Sequence, residues 1–98
     1  MLDFYLIKDD QPKPSYPELI DLEFIIGLDL VTFKSLIKKQ LIDSRFDYYS
    51  DFRWDESLIK QIELKISRIQ KFDSATKKLE QIIKKAIDKN CDIITYCD

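Results

Sequence analysis

Isoleucine and leucine recur at helical spacing through the second half of the chain, and this pattern restricts the fold more than any other feature. The first set steps by three, four and three residues: Ile59, Ile62, Ile66 and Ile69. It predicts a helix over about residues 55–72 with one apolar face. A second set predicts a helix over about residues 75–89, and its members are Leu79, Ile82, Ile83, Ala86 and Ile87.

Only a short break separates these two helices. Asp73 and Ser74 are residue types that cap helix N-termini, and Asn90 suits a C-terminal cap in the left-handed region. Two neighbouring helices with matching apolar faces bury those faces when they fold back on each other. We therefore predict an antiparallel αα-hairpin with its isoleucines facing inward.

Short β-favouring runs lie at both ends of the chain. They predict strands over residues 2–7, 22–26 and 92–97, with the last strand beside the first. Three prolines within residues 11–17 remove backbone donors and favour extended geometry, which predicts a loop there.

One further helix is predicted over residues 30–41, with Asp29 as its N-cap. Its apolar positions step by three, three and four residues, which defines one helical face. A length of 98 residues leaves room for one core. The fold class that follows is α+β: a single domain, residues 1–98, with a short sheet packed with three helices.

Residue types on which many catalytic sites depend are scarce. The chain has no His and a single glycine, Gly27, which excludes imidazole catalysis and glycine-rich phosphate loops. No apolar run approaches the ~18 residues that cross a bilayer. We expect a cytoplasmic protein without enzymatic activity, cofactor, metal or membrane partner. Cys91 and Cys97 lack CxxC spacing, so we expect reduced, partly buried thiols.

Charge is distributed unevenly along the chain. The net charge is −2, yet residues 43–56 hold five acidic and two basic residues, whereas residues 57–90 hold nine basic and four acidic ones. The molecule is therefore expected to be dipolar. The lysines of the last helix lack interleaved aromatic residues, which favours a solvated face over a nucleic-acid partner.

Five of the aromatic residues fall within residues 45–55, inside an acidic stretch that we call the acidic-aromatic segment, residues 43–56. Alternation predicts a half-buried strand, but a turn at Ser50 and Asp51 would give two short arms. A helical turn also fits, because aspartates recur every four residues at 43, 47, 51 and 55. The pattern leaves these three geometries open.

Two interpretations of the acidic-aromatic segment follow from its composition. In the first, Phe46, Phe52 and Trp54 cap the core and the charged residues solvate the outer face. In the second, the segment is a recognition surface, because Tyr, Trp and Arg are enriched at binding hot spots. The partner-binding residues would then be Asp47, Tyr48, Tyr49, Asp51, Arg53 and Trp54, with Asp43 and Asp55 at the rim.

The function that these features favour is a small intracellular protein-interaction module. Its most concrete form is an inhibitor or immunity-type protein that masks a basic site on a partner protein. The alternative is a homodimer or larger structural assembly formed through the isoleucine-rich hairpin, where apolar residues from Leu58 to Ile69 exceed what a small core needs. A nucleic-acid-binding accessory protein is the least favoured hypothesis.

Overall fold

A computed structural model describes residues 1–12 and 22–97 of the chain. Within them, four strands and three helices follow in the order β1, β2, α1, β3, α2, α3, β4. Their bounds are Leu2–Ile7, Glu23–Leu28, Leu30–Lys38, Arg53–Trp54, Glu56–Ser67, Ser74–Lys89 and Asp92–Cys97. The strands form one antiparallel sheet in the order β2-β1-β4-β3. The predicted α+β class is confirmed.

The two terminal strands pair over their whole length, as the sequence predicted. Leu2 lies opposite Cys97 and Ile7 lies opposite Asp92. Because side chains alternate across a strand, Leu2, Phe4 and Leu6 face the helices. A smaller cluster on the other face contains Ile7, Ile94 and Tyr96.

The second strand differs from its prediction, because it continues through Gly27 to Leu28 instead of ending before the glycine. Gly27 pairs with Asp3, and a Cβ at position 27 would come within 2.9 Å of Asp3 Oδ1 and 2.5 Å of Met1 Sδ. Neighbouring side chains thus come so close to the backbone at position 27 that a Cβ would collide with them. This close approach, and not a turn, explains why glycine lies inside this strand.

All three helices begin with an aspartate N-cap. The Oδ1 atoms of Asp29, Asp55 and Asp73 accept hydrogen bonds from the backbone N–H groups three residues later, at 2.7, 2.9 and 2.8 Å. Each bond satisfies a donor that the first helical turn leaves without a partner. The caps predicted at Asp29 and Asp73 are confirmed.

Helix α1 was predicted to reach residue 41, but it ends at Lys38. Gln40 adopts a left-handed conformation with φ 63°, and its N–H donates to Ile37 O at 2.9 Å. The N–H of Leu41 donates back to Leu36 O at 3.1 Å. These two bonds form a Schellman motif, so Leu41 reaches the core from outside the helix.

Helix α2 was predicted to reach residue 72 and ends at Ser67. The N–H groups of Arg68 and Ile69 turn to the carbonyls three residues back, at 3.2 and 3.0 Å. Ile69 and Phe72 nonetheless pack against the core, which explains why the apolar pattern continues past the helix. Helix α3 ends near its predicted position, with Asn90 in the left-handed region at φ 54°.

Helix α3 packs against both other helices. This packing is compatible with the predicted αα-hairpin, whose antiparallel geometry stays a prediction. Of the predicted proline loop, residues from 13 onward lie outside the described residues. No helix in the described ranges is long and apolar enough to cross a membrane. Cys91 and Cys97 are half-buried, as predicted.

Candidate functional site

The first part of the acidic-aromatic segment folds as two consecutive turns, each closed by an aspartate. Asp43 Oδ1 accepts from Arg45 N–H at 2.9 Å, and Asp47 Oδ1 accepts from Tyr49 N–H at 3.1 Å. Main-chain bonds three residues apart close both turns. We call residues 43–51 the turn loop. None of the three geometries that the sequence left open describes the segment in full, because two turns ending at Phe46 and Ser50 are followed by the short strand β3.

Each aspartate of the four-residue series accepts a hydrogen bond from a backbone N–H, locally for Asp43, Asp47 and Asp55 and across the fold for Asp51. Asp51 Oδ1 accepts from Cys97 N–H at 3.1 Å, which ties the turn loop to the end of β4. Asp55 caps α2. Each of the four carboxylates thus accepts a backbone N–H, and all four side chains are still exposed. The backbone bonds hold these negative charges at defined positions on the surface.

The aromatic residues of the segment divide between core and surface. Trp54 is fully buried, and its ring lies 5.6, 6.0 and 5.6 Å from the rings of Phe4, Phe46 and Phe52. Phe46 and Phe52 pack against the core while partly exposed. Trp54 therefore stabilises the interior and presents no surface to a partner in this conformation.

The Arg53 guanidinium donates its hydrogen bonds to acceptors within the chain. Its Nε and Nη2 groups donate to Asp92 Oδ2 at 3.1 and 2.9 Å, and Nη1 donates to Gln11 O at 2.7 Å. A further bond of 3.0 Å joins Nη2 to Lys8 O. One guanidinium thus joins β3, β4 and the turn after β1. Of the six predicted partner-binding residues, Trp54 is buried and Arg53 is hydrogen-bonded within the chain. The remaining candidates are Asp47, Tyr48, Tyr49 and Asp51.

Tyr49 is the large residue that the turn loop leaves outside. It is 69% exposed, and its ring stands edge-on to Tyr48 with centroids 5.1 Å apart. Tyr48 is half-buried and packs edge-on to Phe33 at 5.7 Å. Tyr48 thus connects the exposed ring to the core and supports it from behind.

The environment of Tyr48 favours its neutral form. Desolvation raises the pKa of the Tyr48 phenol above its ordinary value, and negative charge at Cys97 and Asp29 acts in the same direction. A backbone hydrogen bond from Leu2 opposes the shift without cancelling it. The phenol is therefore a neutral group in the wall of the site.

A cleft of about 320 Å³ separates the turn loop from helix α1. Its walls are mainly apolar, and they consist of Leu30, Phe33, Lys34, Ile37, Ser44, Phe46, Asp47, Tyr48 and Tyr49. The sequence pattern did not indicate Lys34 or Ser44 as site residues. Leu30 and Ile37 lie on the apolar face predicted for the helix over residues 30–41, but both are only half-buried.

A second cleft of about 250 Å³ lies near the end of α3 and is lined by several carboxylates. Two of these are already paired: Asp92 with Arg53 at 2.9 Å, and Glu56 with Lys60 at 2.8 Å. In the described residues, no group of three or more His, Cys, Asp or Glu side chains is placed to hold a metal ion.

The isoleucine-rich face of α2 is mostly covered within the chain. Ile59, Ile62 and Ile66 are buried. Leu64, one of the apolar residues predicted to exceed what a small core needs, is 54% exposed. On α3, Lys77, Lys84 and Lys89 are exposed, while Lys85 pairs with Glu23 at 3.1 Å.

Comparison with models of protein families, with curated proteins and with solved structures gave no match to this chain. The geometry of the turn loop and its cleft is therefore the basis on which we infer a function.

Proposed function

We propose that this chain is a protein-interaction module that binds a partner with a basic surface through the turn loop. The observation that carries the proposal is Tyr49, 69% exposed between two carboxylates that backbone amides hold in place. Aromatic residues are enriched at the centres of binding surfaces, and polar or charged residues form the rims. Asp47, Tyr48, Tyr49 and Asp51 are the proposed contact residues, with Asp43 at the rim.

Electrostatics supports a basic partner. Asp43, Asp47 and Asp51 are exposed, and Arg45 is the basic residue of the turn loop. Exposed charges of one sign accelerate encounter with a surface of the opposite sign and add less to the lifetime of the complex. The carboxylates are therefore assigned mainly to the association rate.

The aromatic pair has the complementary role. Tyr49 offers a large ring that loses little conformational entropy on binding, since Tyr48 already restricts it by ring contact. Burial of such a ring slows dissociation. The finer proposal is that the module acts as an inhibitor or immunity-type protein, which masks a basic site on its partner by covering it with the turn loop.

The experiment begins with recovery of stoichiometric partners from the native cell at moderate salt, followed by binding kinetics with the purified partner. Tyr49→Ala should raise the dissociation rate by about tenfold. Asp47→Asn should lower the association rate and weaken its salt dependence. Val31→Ala is the matched apolar control, because Val31 is 79% exposed and lies outside the turn loop.

Asp88→Asn, on the exposed face of α3, is the matched control for charge. If the turn-loop variants bind like the controls, the proposal is wrong. If the partner recovered has an acidic surface, the electrostatic part is wrong.

A further inference from the structure

The cleft beside the turn loop carries opposite charges on its two walls. Lys34 lies on the α1 wall and Asp47 lies on the turn-loop wall. Both side chains are exposed, and neither takes part in an ion pair with another described residue.

The floor of the cleft is formed by side chains that the core holds in place. Phe33 is 1% exposed and Phe46 packs against the core, while Leu30 and Ile37 present their outer parts to the cleft. A volume of about 320 Å³ is at the low end for a ligand pocket. It suits one large side chain better than a cofactor.

We propose that this cleft seats one large apolar side chain of the partner protein, flanked by a basic residue that faces Asp47 and an acidic residue that faces Lys34. This inference rests on the proposed function and specifies how the same surface recognises its partner. Apolar contact provides affinity, and the two opposite charges fix the direction in which the partner segment lies. A partner site with basic residues alone would leave Lys34 facing a like charge.

The first arm of the test uses blocked peptides as probes. Peptides with the central order Lys-Leu-Glu and Glu-Leu-Lys cover both chain directions, and Lys-Ala-Glu and Glu-Ala-Lys remove the apolar anchor. Titrations at millimolar concentration, followed by amide chemical shifts, should perturb Leu30, Lys34, Ile37 and Tyr49. One leucine peptide should bind about tenfold more tightly than its alanine counterpart.

Two variants test the location. Ser44→Tyr fills the cleft from an exposed position and should abolish the peptide effect. Ser57→Tyr makes the same change at an exposed position of α2 and should leave it intact. Unchanged amide spectra elsewhere in the chain verify that both variants fold.

Charge reversal tests the proposed direction. Lys34→Glu should favour a peptide with lysine on both sides of leucine over the original peptide. An equal preference of wild type and variant would overturn the assignment of Lys34. Equal binding of leucine and alanine peptides, or no perturbation of the cleft, would overturn the inference as a whole.

The native partner separates failure of this inference from failure of the proposed function. If Tyr49→Ala and Asp47→Asn weaken binding while Ser44→Tyr does not, the turn loop binds the partner but the cleft is not used. If none of the three changes weakens binding, the proposed function is wrong. Self-association that Ser44→Tyr abolishes would identify a second copy as the occupant and would overturn the inference.

Discussion

The two parts of the acidic-aromatic segment both combine aromatic and charged residues, yet they occupy opposite environments. In the turn loop, Asp47 and Tyr49 lie on the surface, and the aspartate orders the chain locally. A few residues later, Arg53 and Trp54 are joined to the sheet and the core. Aromatic and charged residues in one run are therefore no guide to a binding surface until their backbone partners are known.

Pairing with β4 accounts for the difference. Phe52 N–H donates to Thr95 Oγ1 at 3.0 Å, and Thr95 N–H donates to Phe52 O at 3.0 Å. Thr95 is fully buried, so these bonds draw Phe52 and the following strand into the interior. The turn-loop residues before Asp51 pair with no strand in the described chain, and their turns project outward.

The largest expected contrast is between Trp54 and Tyr49. Trp54→Ala should lower the free energy of unfolding by about 3–5 kcal/mol, because it leaves a cavity among Phe4, Phe46 and Phe52. Tyr49→Ala should change it by less than about 0.5 kcal/mol. Urea denaturation of both variants measures the difference.

Trp54→Phe is the control for volume. The Trp54 Nε1 has no hydrogen-bond partner among the described residues, so phenylalanine loses packing and no hydrogen bond. Its cost should fall well below that of alanine. A Tyr49→Ala effect as large as that of Trp54→Ala would remove the distinction between surface and core.

Arg53 and Arg45 provide the next contrast. Arg53→Ala should cost about 2 kcal/mol, since it leaves the buried Asp92 carboxylate without its guanidinium partner. Arg45 lies over the Phe46 ring at 4.8 Å and is exposed, so Arg45→Ala should cost about 0.5 kcal/mol. Thermal unfolding of both variants at equal salt measures the two effects. Equal losses would contradict the internal role of Arg53.

The equally spaced aspartates should differ from one another. Asp55→Ala removes the N-cap of α2 and should cost about 1 kcal/mol. Asp47→Ala loses one bond in an exposed turn and should cost less than about 0.5 kcal/mol. Chemical denaturation of the pair distinguishes the cap from the turn, and similar costs would show that the turn loop stabilises the fold more than its exposure indicates.

The smallest expected effect concerns the half-buried Tyr48 in alkaline solution. The raised pKa of Tyr48 means that the folded chain holds this proton more tightly than the unfolded chain does. Its stabilisation is present below the ordinary tyrosine pKa of about 10 and is lost as pH rises through the folded value. Tyr48→Phe should therefore reduce the alkaline loss of stability relative to wild type. Thermal unfolding of wild type and variant from pH 8 to pH 11 measures the effect, and an unchanged alkaline loss would contradict it.

The sequence predicted the three helices and the strands β1, β2 and β4 because each is encoded locally, whereas β3 was left open. The apolar spacing of α2 and α3, the capping aspartates and the β-favouring ends depend on near neighbours. Helix ends were less predictable. The apolar pattern continues through Leu41 and Ile69, which reach the core although the helices have already ended.

The candidate site was only partly predictable for a related reason. Residue type alone indicated Tyr49 and Asp47 as partner-binding candidates, and both side chains are exposed. Trp54 was selected by the same criterion, yet its burial depends on pairing with Ile93, almost forty residues away in sequence. Prediction of the cleft would also have required Lys34 and Ser44 to be recognised as lining residues. The cleft exists because α1 and the turn loop pack side by side.

The position of β4 between β1 and β3 has a kinetic consequence. Its ladder joins position 2 to position 97, so the sheet closes through contacts of high sequence separation, which form slowly compared with helices. The turn loop depends on the same strand through Asp51 and Phe52. A chain with formed helices and an unpaired β4 therefore lacks the bond that fixes Asp51, although the turns at Asp43 and Asp47 close through local bonds. The turn loop is fixed to the sheet only when β4 pairs.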